Sequence, residues 1–120
     1  MNEDCQGLID NYIYSIFLLK ALQRDCRQLN KQLALGLHYQ LYFKELMEDL
    51  NHHIENLEQE MKQKQLRVIF PSTYKTEVLL FHVEINGHWQ ELSIPSSDTK
   101  RITGKYFISR ARRKAGLSAV

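Results

Sequence analysis

Five histidines and two cysteines are the residues of this 120-residue chain best suited to metal or acid–base chemistry. His52, His53 and Glu55 are adjacent in sequence, but on a helix only His52 and Glu55, three apart, share a face. A metal site needs three or four converging donors, and the chain has no His-Glu-x-x-His or Cys-x-x-Cys spacing. The histidines therefore read as solvated helix residues, with His82 expected to form an ion pair with Glu91 across two strands. Nucleophilic chemistry lacks its usual settings: there is no Gly-x-Ser-x-Gly turn and no Cys/His pairing that the topology would bring together. Gly104 stands alone before Lys105, which is no phosphate cradle. The expectation is a protein without enzymatic activity, cofactor or metal. Cys5 and Cys26, if on one helix, are roughly 30 Å apart at the helical rise and cannot bridge; Cys26 falls on an apolar seam and reads as a buried small hydrophobe.

Two features instead suggest binding. Lys100, Arg101, Lys105, Arg110, Arg112, Arg113 and Lys114 place seven positive charges in fifteen residues, with Tyr106 and Phe107 among them. Such a segment can neutralise a DNA or RNA phosphate backbone and release counterions, giving steep salt dependence. It can also meet an acidic protein surface, or remain a solvated tail. Nothing resembles a base-reading motif, and a basic region that follows a coiled coil reverses the bZIP order. The second feature is Trp89, on a strand face beside His82, Glu84 and Glu91. An exposed Trp among polar groups is a frequent protein-binding anchor; the alternative is that Tyr106 or Phe107 of a terminal helix covers it.

Composition bounds the class. A hydrophobic fraction of 43% and a charged fraction of 25% are those of a folded globular protein. The net charge of +2 hides a split. Residues 1–65 hold seven Lys and Arg against ten Asp and Glu, whereas residues 66–120 hold nine against four. The apolar run from Tyr12 to Leu19 is interrupted by Ser15 and falls far short of the roughly 20 residues of a membrane span. Glu3, Asp4 and Asp10 contradict the positive start of a signal peptide. Both observations predict an intracellular protein, cytoplasmic, or nuclear in a eukaryote, with no membrane partner.

Positioning these residues falls first to a helical region over 1–64. Leu8, Tyr12, Leu19, Leu22, Cys26, Leu29 and Leu33, then Phe43, Met47, Leu50, Ile54, Leu57 and Met61, follow one seam at alternating steps of three and four. The first helix is expected from about Asp4 to Leu35. Its first half carries more apolar surface, with Ile9, Ile13, Ile16, Phe17 and Leu18, than a single partner helix can cover. The seam fails at Gly36 and Gln40. Two readings follow: a turn at Gly36–His38 with a second helix over about 39–64 running back as a hairpin, or one continuous rod roughly 85–90 Å long. The excess apolar surface favours the hairpin. Phe43, Met47, Leu50, Ile54, Leu57 and Met61 are the candidate dimerisation residues, making a homodimer the expected assembly.

The period switches to two at Leu66, marking a small β head with a basic terminal helix over 65–120. A strand over 66–70 ends at Pro71. Asn86–Gly87 then calls for a two-residue type I′ hairpin, pairing Ile85 with His88, Val83 with Gln90, Phe81 with Leu92 and Leu79 with Ile94 on one apolar face. Pro95–Asp98 breaks the sheet and supplies Ser97 or Asp98 as cap for a helix over 99–114. The fold class is α+β: a helical hairpin or coiled coil, a three-stranded antiparallel sheet and a short basic C-terminal helix. The expected function is a non-catalytic assembly or adaptor protein that self-associates through its helices and presents the head to an unidentified protein partner. The alternative is a nucleic-acid-binding accessory or regulatory protein that uses residues 100–114.

Overall fold

The Asn86–Gly87 pair sets the sheet. In the computed structural model, which describes residues 3–32 and 36–114 (side chains over 4–28 and 41–111), these two residues have φ of 51° and 84°. That is the left-handed geometry of a type I′ turn, matching the twist of the strands it joins. Strands β2 (Val78–Ile85) and β3 (His88–Pro95) leave it in the expected register, Ile85 opposite His88 through Leu79 opposite Ile94. Strand β1 (Leu66–Ile69) pairs antiparallel with β2, giving the order β1-β2-β3.

Helices α1 (Glu3–Gln32) and α2 (Gly36–Gln63) precede the sheet, and α3 (Ser96–Lys114) follows it directly. The rod is excluded: the longest dimension is 51 Å, and Leu18 and Leu22 pack against Leu46, Leu50 and Ile54 while Leu8, Ile9 and Ile13 share a core with Leu57 and Met61. This is an antiparallel hairpin. Gly36 was expected to stop the first helix; it instead heads the second, and residues 33–35 lie outside the described residues.

The seam expected on the first helix needs correcting. Ile9, Ile13 and Leu18 are buried, whereas Tyr12, Leu19 and Cys26 are only half-buried. A 3.5-residue repeat presumes a single neighbour, but α1 is packed by α2, by the inner sheet face and by α3, so its buried arc is turned and widened. On α2, Leu46 is buried and Phe43 and Met47 are half-buried, while Leu50, Ile54, Leu57 and Met61 lie inside as expected. Leu29 and Leu33 fall outside the described side chains. The inner sheet residues Leu79, Phe81, Val83 and Ile94 join Leu8, Ile9, Ile13, Leu57 and Met61 in one cluster. The 1–64 and 65–120 halves therefore share a core.

A polar clamp crosses the α1–α2 interface. Ser15, fully buried, donates its hydroxyl to Asn11 Oδ1 at 3.2 Å, and His53 Nε2 lies 3.1 Å from the same oxygen. An oxygen that only accepts requires the proton on Nε2. His53, expected to be a solvated helix residue, is thus half-buried and bound to a residue 42 positions away. At the end of α2, Gln65 adopts φ of 56° and its carbonyl accepts from Asn86 N–H at 3.1 Å. A non-glycine residue therefore takes the left-handed position that ends many helices.

Candidate binding surface

One sheet face packs on the helices; the other faces solvent. Residues Ile69, Val78, Leu80 and Trp89 are 47%, 50%, 38% and 49% exposed on it, and no described element covers them. Arg67, Glu84 and Trp89 form one row across the three strands. The Arg67 guanidinium carbon sits 5.8 Å from the Trp89 ring centroid, and its Nη1 lies 3.7 Å from Glu84 Oε2. This holds the indole in place from one side, a cation–π contact worth roughly 0.5–1 kcal/mol at an exposed site. The next row sets Ile69, His82 and Glu91 side by side. The expected His82–Glu91 ion pair does not form: among the described residues the ion pair on this face is Arg67–Glu84. Trp89 is also not covered by the terminal helix. Tyr106 stacks instead on Tyr14, rings 5.7 Å apart and 16° from parallel, and Phe107 lies 6.4 Å from Phe43.

That inward turn of the aromatics changes the basic segment. Lys100, Arg101 and Lys105 are exposed on α3, Arg110 is half-buried, and the side chains of Arg112, Arg113 and Lys114 lie outside the described residues. Arg101 Nη2 is 3.5 Å from Asp98 Oδ1. The rings that would stack on bases are spent on the core.

The candidate dimerisation residues Leu50, Ile54, Leu57 and Met61 are buried within one chain, so pairing through them would require opening the hairpin. Phe43 and Met47 remain partly accessible. Where α3 meets α1, burial pushes the hydroxyls of Tyr14 and Tyr106 above their ordinary value, the Asp10 charge adding to both. Burial also raises Asp10, opposed by a 2.9 Å hydrogen bond from Gln6 Nε2. Tyr12 is raised by burial and by the charge of Glu58. Phenols shifted upward stay protonated at neutral pH and are poor bases. Among the described residues no three His, Cys, Asp or Glu side chains gather to hold a metal, and His52 Nδ1 merely lies 4.0 Å from Glu55 Oε2.

Two cavities among the described residues bear on this surface. A cleft of about 510 Å3 at the α2–β1 junction is lined by Glu58 and Glu84 against Lys62 and Arg67, a balanced set. A groove of about 810 Å3 lies between α1 and α3 on the helical side of the sheet, floored by Phe17, Leu22 and Phe107.

A family model described as YhjD protein matches residues 1–104. The chain belongs to the YhjD family. No curated protein and no solved structure matches it. The span matched to the YhjD model takes in both long helices, the whole sheet with Trp89, and the first half of α3. Within it no helix of the described residues is long and apolar enough to cross a membrane.

Proposed function

We propose that this YhjD-family protein is a non-catalytic adaptor that docks a protein partner on the outer sheet face around Trp89. The observation supporting this is a set of four large apolar side chains, each 38% or more exposed, on one face with a fixed indole at its edge. Tryptophan is among the residues that dominate binding energies, and exposed apolar patches mark interaction sites.

Size argues for a transient contact. Two strands of eight residues span roughly 26 Å each and the four-residue β1 roughly 13 Å, at roughly 4.8 Å per strand. That face offers roughly 310 Å2, below the roughly 800 Å2 per partner of a stable complex. Self-association through Leu50 and Ile54 would compete with the chain's own core, which leaves Phe43 and Met47 for it, so any oligomer is proposed to be weak. A nucleic-acid role through Lys100, Arg101 and Lys105 has the support of their exposure alone.

The test compares wild type with Trp89→Ala and Leu80→Asp in covalent crosslinking from cell extract, with mass spectrometry of the adducts. Crosslinks around Lys75 and Glu84 should be lost in both variants while the circular dichroism spectrum is unchanged. Crosslinks that survive both substitutions would place the partner elsewhere. Retention on immobilised DNA or RNA that falls steeply with salt and is lost in Lys100→Ala/Arg101→Ala would favour the nucleic-acid reading instead.

A further inference from the structure

Gly104 has no evident structural reason to be glycine. It lies inside α3, where glycine costs roughly 1 kcal/mol relative to alanine. Its φ is not among the left-handed ones of the chain, and a Cβ built on it would meet no atom within 4 Å. Neither a turn nor a close approach calls for it. What it does is leave space. Gly104 lines the α1–α3 groove, as does Ala21 from α1, and the two smallest side chains of that lining keep the groove open to about 810 Å3. Cavities of roughly 300–1,000 Å3 are those that hold small-molecule ligands.

The lining is two-sided in chemistry. Along α3 it runs from Ser96 to Phe107, roughly 16 Å at the helical rise. Near its start are Tyr74, Ser96 and Thr99, with Lys100 the next residue along. Lys20, outside this lining, turns its Nζ to the rings of Tyr74 and Phe70, 5.7 and 6.0 Å from their centroids. Near its end the rings of Phe107 and Phe43 lie 6.4 Å apart over Leu22. Charge on the rim is unbalanced. Of the three charged residues in the lining, Asp25 is held by Arg24 at 3.4 Å, while Lys100 has no carboxylate partner among the described residues.

We infer that this groove is a binding site for a single-chain amphiphile with an anionic head. The hydrocarbon lies over Phe17, Leu22 and Phe107, and the head meets the Lys100 ammonium group. The site is separate from the outer sheet face and does not depend on the adaptor reading.

Isothermal titration of the full chain tests it, using myristate, tetradecanol and tetradecyltrimethylammonium below their micelle concentrations. Wild type should bind one myristate saturably, with the cationic chain roughly fivefold or more weaker. Gly104→Leu fills the groove and should weaken myristate roughly tenfold or more while melting no lower than wild type. Lys100→Glu, an exposed change that spares the fold, should reverse the head-group preference. Binding that ignores head charge, unaltered binding to Gly104→Leu, or no saturable binding of any chain would overturn the inference. So would saturable binding of an acidic amphipathic peptide, lost in Gly104→Leu, where myristate does not bind: the groove would then belong to a partner helix.

Discussion

Helix α1 is flanked by two helices that treat it differently. Against α2 it closes fully: Leu18, Leu22, Leu46, Leu50 and Ile54 interdigitate, and the Asn11–Ser15–His53 clamp pins the register. Against α3 it makes contact through stacked Tyr14 and Tyr106 and then parts, leaving the groove. The first interface spends its residues on stability. The second carries a helix-weakening glycine and a desolvated Asp10 carboxyl, neither of which helps folding. Residues that make the fold worse than it needs to be are the ones to examine for binding.

Substitutions should break the two interfaces unequally. Leu50→Ala, at a fully buried site facing α1, should cost about 2–5 kcal/mol in urea unfolding. A loss under about 1 kcal/mol would mean that the hairpin is loosely packed. Asn11→Ala removes the shared acceptor of Ser15 and His53 and should cost about 1–3 kcal/mol by the same measurement. Gly104→Ala should instead stabilise by about 0.5–1 kcal/mol, because nothing opposes the added methyl; a destabilised variant would show that α3 packs closer than described.

The smallest effect is expected at Asp10, and it depends on pH. Its folded-state pKa is raised above the ordinary 3.8 by burial, so the carboxyl favours folding while protonated. That contribution is complete below 3.8 and is lost as pH rises through the folded value. Asp10→Asn should therefore melt higher than wild type at pH 7, and the advantage should shrink and vanish as the pH is lowered below 4 in a series of thermal scans. A constant difference across that range would assign the effect to packing alone.

How much of this was legible in sequence follows from how local each cause is. Asn86–Gly87 dictates a turn and therefore a register, so every β2–β3 pair could be counted outward from two residues. The phase of α1 could not be read the same way. Its buried arc depends on three neighbours at once, and Tyr12 and Leu19 look as apolar on paper as Ile13 and Leu18. The His53–Asn11 contact joins residues 42 apart with no pattern between them. Gly36 misled because a lone glycine signals a stop only when the backbone uses its left-handed freedom; the residue that does so after α2 is Gln65. Exposure of Trp89 depends on Tyr106 and Phe107 turning inward onto Tyr14 and Phe43, which no local pattern dictates. The groove was invisible, since it is made of what Ala21 and Gly104 lack.

The Arg67–Trp89 row has a practical consequence. Trp89 is the single tryptophan of the chain, so all indole emission comes from the outer sheet face. Half exposed, it should fluoresce at long wavelength and be open to quenching by both iodide and caesium. A partner that docks there would shift the spectrum to the blue and shield it from both ions, whereas an amphiphile entering between α1 and α3 would leave it unchanged. The molecule thus carries an intrinsic optical label on one of its two candidate surfaces and none on the other.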